Sequence, residues 1–196
     1  RNDHRSGSGR RTLLSPYGCQ RGRLGAFGIN PRTPAAAIGP ETPGMEKLLI
    51  RKAQPIDLER LLPLVADYHA FEGLKTTAAH RRRALTELLR DPSMGIVWCV
   101  EDATELIGYL ALCYGYSLEF GGRDAFIDEF FLVPGARGRG LGANVLDQVI
   151  SEAAAGGTVA LHLEVAGHNV TALRLYERRG FSPRVGYEML TLEMLQ

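Results

Sequence analysis

From residue 45 onward the chain alternates between short apolar runs and stretches whose apolar residues recur at three- and four-residue steps, the signatures of strand and helix. Leu48-Leu49-Ile50-Arg51 predicts a first strand, closed before Pro55. A helix follows with Asp57 as its cap, Leu58, Leu61, Leu62, Val65 and Tyr68 or His69 along one stripe, and Gly73 as its stop. Pro63 inside that stripe predicts a kink or a later start. A second helix over 78–90 carries Ala84, Leu85, Leu88 and Leu89 and ends at Asp91-Pro92. Residues 96–101 and 106–116, joined by a turn, predict an antiparallel hairpin, and Gly121-Gly122-Arg123-Asp124 turns the chain into a further strand, 125–133, stopped by Pro134. A helix on Leu141, Val145, Val149, Ile150 and Ala153 ends at Gly156-Gly157. After it come a strand over 159–165, a helix from 170 capped by Asn169 with Gly180 at its left-handed end, and a closing strand over 187–193. The order β-α-α-β-β-β-α-β-α-β predicts a mixed α/β domain, antiparallel in its front half, with one right-handed β-α-β crossover in its back half.

Residues 1–44 show neither period. They are rich in Gly, Ser, Pro and Arg, and cannot offset their ordering entropy by burial, so they read as an unstructured tail. A mitochondrial-type presequence, a basic nucleic-acid tail and residues upstream of the true start all have this composition. The third is preferred, because Met45-Glu46-Lys47-Leu48-Leu49 reads as a fresh start and the tail lacks an amphipathic helix. The net charge of +1 hides two unlike parts: seven arginines against Asp3 and Glu41 in the tail, and 16 bases against 20 acids after it. An acidic domain argues against a phosphate-backbone surface and suits a cationic substrate. No apolar run of about 20 residues is present to cross a bilayer. Cys19, Cys99 and Cys113 are far apart and odd in number, which predicts no disulfide framework, no metal knuckle and a reducing, cytoplasmic compartment.

Two features carry candidate chemistry. Asp128 and Glu129 stand side by side in an otherwise apolar strand, where alternation sends them to opposite faces unless a bulge intervenes. Arg137-Gly138-Arg139-Gly140-Leu141-Gly142 then joins that strand to a helix. Its spaced glycines let backbone N–H groups turn inward and the helix start adds a positive dipole end, a cradle for phosphate or pyrophosphate; a plain strand-to-helix turn has the same composition. A P-loop needs Gly-Lys followed by Ser or Thr, which is absent. A dinucleotide-binding turn fits Gly138 to Ala143, with Glu164 about 20 residues on, but it comes after several antiparallel strands, too late for a parallel sheet to follow.

The glycine loop resembles the acyl-coenzyme A pyrophosphate loop of the GNAT N-acetyltransferases, R/Q-x-x-G-x-G/A, and follows a strand ending in Val133-Pro134 as theirs commonly does. Leu163-Glu164-Val165, Asn169, Ala172 and Leu175-Tyr176-Glu177-Arg178-Arg179-Gly180-Phe181 are similar to that family's L-x-V…N…A…LY-x-x-x-GF stretch. The resemblance covers roughly 47–193 and implies a single GNAT domain over 45–196, with acetyl-CoA lying between two splayed parallel strands. Carried over by position, it implies pyrophosphate on the backbone of Gly138, Arg139, Gly140, Leu141, Gly142 and Ala143, with side-chain charge from Arg137 or Arg139. It further implies pantetheine paired with Phe131, Leu132 and Val133, and Asn169 either at the cofactor or in its cap.

The implied activity is transfer of an acetyl group from acetyl-CoA to a primary amine by direct attack in a ternary complex. Tyr176 is then the acid for the departing thiolate, and Asp128 and Glu129 are the candidate bases, with Asp128 preferred because it aligns with the acid of polyamine-type relatives. The aromatic-rich hairpin 108–120 resembles that of diamine and polyamine acetyltransferases, so Tyr116, Glu119 and Asp128 are expected to line a pocket for a small cationic amine. His162 reads as a packing histidine; His69, His80 and His168 have no acid partner at a usable spacing, and no metal site is expected. A non-catalytic acetyl-CoA-binding module and a dinucleotide-binding protein are the alternatives. Family habit allows a homodimer, although no sequence feature sets the oligomeric state.

Overall fold

The computed structural model describes residues 48–103 and 105–194. The Arg-rich segment 1–44 and the reading given to it lie outside the described residues. Nine elements follow in order: β1 (Leu48–Lys52), α1 (Leu58–Glu72), α2 (Ala78–Arg90), β2 (Gly95–Asp102), β3 (Glu105–Ser117), β4 (Gly122–Leu132), α3 (Leu141–Ala155), β5 (Ala160–Leu163) and α4 (Val170–Glu177). The strands form one sheet in the order β1-β2-β3-β4-β5, antiparallel as far as β4 and parallel only between β4 and β5, which α3 connects. One parallel pair among the described residues is not the doubly wound sheet that a dinucleotide-binding turn serves, so that alternative falls.

Period-two alternation gives the sheet two apolar faces. Trp98, Val100, Leu110, Leu112, Ala125 and Ile127 pack against Val145, Leu146 and Val149 of α3 and Tyr176 of α4. Val97, Cys99, Tyr109, Ala111 and Phe131 turn to the other side, against Leu61, Leu64 and Val65 of α1 and Leu85 of α2. Burial of both faces explains why β2 and β3 read as nearly continuous apolar runs. No helix among the described residues is long and apolar enough to cross a membrane.

Three expectations are corrected. Pro63 neither delays nor ends α1, which runs unbroken from Leu58 with Leu61, Leu64, Val65 and His69 on its buried side; packing along that stripe outweighs the backbone bond Pro63 cannot make. Asp57 stands at the N-cap position without capping through its side chain. Its carboxylate instead takes two bonds from the Arg51 guanidinium, each 2.8 Å, and one from the Gln54 amide, and the Arg51 bonds hold its pKa below the ordinary value. Finally, the strand expected over 187–193 is not formed. Tyr187, Met189, Leu190 and Leu192 are all exposed, so the apolar residues that suggested a strand there pack against no face of the sheet.

Glycine sets the closeness of β3 to β4 just below the strand's end. A Cβ on Gly108 would stand 2.4 Å from the Phe131 carbonyl oxygen, which is backbone and cannot step aside. Gly108→Ala is expected to lower the denaturation midpoint by about 1–3 kcal/mol of stability, measured in urea; an unchanged midpoint would contradict this packing.

Candidate active site

The bulge that sequence alternation left conditional is present in β4. Ala111 pairs with Glu129 and Leu112 with Ile127, so Asp128 is an extra residue opposite that step. Ile127 and Phe130 remain on the α3 and α4 side, whereas Glu129 and Phe131 face α1. Asp128 acts electrostatically on Tyr109 and Cys113 of β3 and Tyr68 of α1, and feels His69, so both carboxylates belong to the same side of the sheet.

Their environments differ. Glu129 is fully engaged: Oε1 meets His69 Nε2 at 2.6 Å, and Oε2 accepts from the Tyr109 hydroxyl at 2.5 Å. Asp128 makes no hydrogen bond among the described residues and its side chain reaches solvent. Protein packed around it and the neighbouring Glu129 charge raise its pKa, while His69 pulls the other way. Tyr68, Tyr109 and Phe131 wall the site with mutually tilted rings 6.1–6.5 Å apart. Burial pushes both tyrosine hydroxyls up, with the Glu129 charge adding to it.

Beside this cluster the sheet opens. β4 and β5 pair only from Asp124 opposite Ala160 to Ile127 opposite Leu163, and beyond that step β4 has no strand on its β5 side. The Val133 amide donates to the Ile107 carbonyl at 2.9 Å, so its backbone faces β3 and strand alternation turns that of Leu132 into the opening. Of the three residues expected to pair with pantetheine, Val133 therefore has its amide already used. The Leu132 carbonyl accepts from Arg137 Nε at 2.8 Å.

At the end of β4 the glycine loop takes the backbone it was read to need. Gly138 and Gly140 have φ of 76° and 79°, and Gly140 leads directly into α3. The Ala143 amide bonds the Gly140 carbonyl at 3.0 Å and is a correction to the expected ligand set. The amides of Gly138, Arg139, Gly140, Leu141 and Gly142 have no acceptor among the described residues, which fits the pyrophosphate of coenzyme A. The arginines do not point there: Arg137 lies over the rings of Phe71 and Phe131, 4.9 and 5.3 Å from their centroids, and Arg139 is paired with Asp102 at 3.0 Å.

On the far side of the opening, Asn169 Oδ1 accepts from the Ala172 amide at 3.1 Å, which places its carbonyl oxygen in the α4 cap and leaves the side-chain NH2 as a donor. Tyr176 projects from that helix, 9% exposed, and is close enough to be felt by Tyr68 on the opposite face of the sheet. Burial pushes its hydroxyl up to about 12, with Glu72 adding to it, so the phenol stays protonated at neutral pH and can donate.

Tyr116 and Glu119 are not brought to this place. They lie at the β3–β4 turn, about 20 Å along the strand from Asp128, with Tyr116 exposed and Glu119 held by Arg184 through two 3.0 Å bonds. His162 stands 3.4 Å from Asp124, beside the Phe120 ring. The residue that the sequence reading passed over is His69. Its acid partner is 60 positions away, and the available signal was a polar residue on the buried stripe of α1.

A sequence profile of the acetyltransferase (GNAT) family matches residues 59–181. The uncharacterized N-acetyltransferase YhfO of Bacillus subtilis is 27% identical over 138 residues, covering 70% of this chain and 92% of that protein. An uncharacterized N-acetyltransferase of Mycobacterium tuberculosis is 30% identical over 119 residues, 61% of this chain and 71% of that protein. Among solved structures, an integron cassette protein from a salt-marsh metagenome superposes with a TM-score of 0.67 at 32% identity, covering 75% of this chain and 91% of the other. A predicted acetyltransferase of Clostridium acetobutylicum, solved with acetyl-CoA, has a TM-score of 0.63 at 19% identity over 74% of this chain and 96% of its own, a likeness of fold.

The raised pKa of Asp128 has a consequence for stability. A carboxyl that binds its proton more tightly folded than unfolded stabilises the fold in acid, and that contribution is lost as pH rises through the folded pKa. Asp128→Asn is therefore expected to unfold at a higher temperature than the wild type at neutral pH, with the difference shrinking below about pH 4. Thermal scans from acid to neutral pH check this, and a variant less stable at neutral pH would contradict the placement of Asp128.

Proposed function

This chain belongs to the GNAT acetyltransferase family and is an acetyl-CoA-dependent acyltransferase; from that premise we propose that it acetylates the primary amine of a small, cationic acceptor by direct attack in a ternary complex. The observation that carries the reading is the bulge, which sets two carboxylates on one side of β4 against an aromatic wall and beside the opening between β4 and β5. Carboxylates attract an ammonium group, and the half-buried ring of Tyr68 beside them is suited to a cation. Free thiols at Cys99 and Cys113 agree with action in the cytoplasm.

Bound acetyl-CoA supplies the thioester that an uncharged amine attacks. Backbone amides of 138–142 hold its pyrophosphate, and the Leu132 backbone pairs with its pantetheine once Arg137 Nε releases the carbonyl. Asp128 takes the proton from the acceptor ammonium: its carboxylate carries no competing hydrogen bond, and its raised pKa brings it closer to the working range of a base. Glu129 stays in place as a neighbouring anion, bound on both oxygens. The Tyr176 hydroxyl donates its proton to the departing sulfur and regains one from the nitrogen as the amide forms, while Asp128 passes the first proton to solvent.

Calorimetric titration with acetyl-CoA is expected to show micromolar binding, and a panel of mono-, di- and polyamines assayed by thiol release is expected to favour cationic acceptors over neutral ones. With an accepted amine, Asp128→Asn is expected to lower kcat/KM by about 10²–10⁴-fold, and Tyr176→Phe to lower kcat by about 10²-fold or more with acetyl-CoA binding retained. Wild-type rates in both variants would remove these residues from the chemistry.

A further inference from the structure

His69 sits at the centre of a chain of hydrogen bonds whose directions can be counted. Arg81 Nη1 donates to the Thr76 carbonyl at 2.7 Å and to the Thr76 hydroxyl oxygen at 3.1 Å. The one hydroxyl proton of Thr76 is then free for His69 Nδ1, 2.5 Å away. An Nδ1 that accepts leaves the neutral ring's proton on Nε2, where it is donated to Glu129 Oε1 at 2.6 Å. The Tyr109 hydroxyl donates to Glu129 Oε2 at 2.5 Å and completes the chain. The other neutral tautomer would set the Nε2 lone pair against a carboxylate oxygen and leave the Thr76 proton without an acceptor among these groups.

We propose that Thr76 and His69 are positioning residues for acetyl transfer: Thr76 fixes the His69 tautomer, and His69 with Tyr109 pins Glu129 as an anion, leaving Asp128 as the carboxylate that takes the acceptor's proton. This rests on the amine-acetylation reading. The same contacts tie the α1–α2 connection, where Thr76 lies, to β4, so the segment beside the site and the charge within it are set together. The groups that act on Asp128 oppose one another. Glu129 raises its pKa and a protonated His69 ring lowers it, while Tyr68, Tyr109 and Cys113 are neutral neighbours on α1 and β3.

Two readouts on the full chain test this. Long-range proton–nitrogen spectra of the imidazoles, recorded at alkaline pH with the His69 signals identified by their loss in His69→Gln, should show the Nε2–H form in the wild type. They should show a mixture in Thr76→Val and the wild-type form again in Thr76→Ser. An Nδ1–H form in the wild type, or a tautomer unmoved by Thr76→Val, overturns the proposal. In pH profiles of kcat/KM with an accepted amine, Glu129→Gln should move the acidic limb to lower pH. Reduced rates with that limb unmoved mean packing alone and also overturn it. If no amine is acetylated, the acceptor reading fails and the imidazole spectra by themselves decide the positioning role.

Discussion

Successive side chains of a strand point to opposite faces, so two adjacent acids can serve one cleft only where the ladder is interrupted. The extra residue in β4 is that interruption. Without it, strict alternation would send Asp128 and Glu129 to opposite faces, one of them into the apolar α3 and α4 side with either Ile127 or Phe130. With it, Asp128 joins Glu129 on the α1 side, and the strand beyond no longer runs alongside β5. One irregularity thus gathers the charges and coincides with the opening that exposes the β4 backbone.

The site holds two carboxylates in unlike surroundings. Glu129 would be costly to bury alone, and His69 and Tyr109 supply the donors that make it tolerable. Asp128 has no such donors, so its ionised form is the less stable member of the pair. A carboxylate kept reactive in this manner weakens the fold that carries it, the usual relation between an active site and stability. The arginines of the glycine loop are tied down too, Arg137 on two rings and the Leu132 carbonyl, Arg139 on Asp102, so anion binding falls to backbone amides at the start of α3.

Much of this could be read from the sequence because it is local. Strand 125–133, the glycine loop, the helix after it, the Asn169 cap and the buried Tyr176 follow from period, turn chemistry and capping within a few residues. What was not legible depends on distance along the chain. His69 and Glu129 meet because α1 packs on β4, and no spacing rule connects positions 60 apart. Tyr116 and Glu119 were grouped with Asp128 by resemblance, but the length of β4 carries them to the other end of the sheet, where Arg184 takes Glu119. Asp57 has the right residue type for a cap, yet its carboxylate is taken by the Arg51 guanidinium and the Gln54 amide instead of the first amides of α1. The unformed last strand was read from the apolar content of 187–193, and content alone does not supply a neighbouring strand or face to cover those side chains, which stay exposed.

The central claim is that the bulge makes Asp128 the residue facing the amine at the mouth of the β4–β5 opening. The most direct measurement is a crystal structure with a conjugate in which coenzyme A is joined through its sulfur to a small diamine. The account predicts the chain of the conjugate lying along β4 at Leu132, its phosphates on the amides of 138–142, and its linking nitrogen against the Asp128 carboxylate with Glu129 still held by His69. A conjugate whose amine lies away from Asp128, or a β4 whose alternation sends Asp128 to the α3 side, would contradict it.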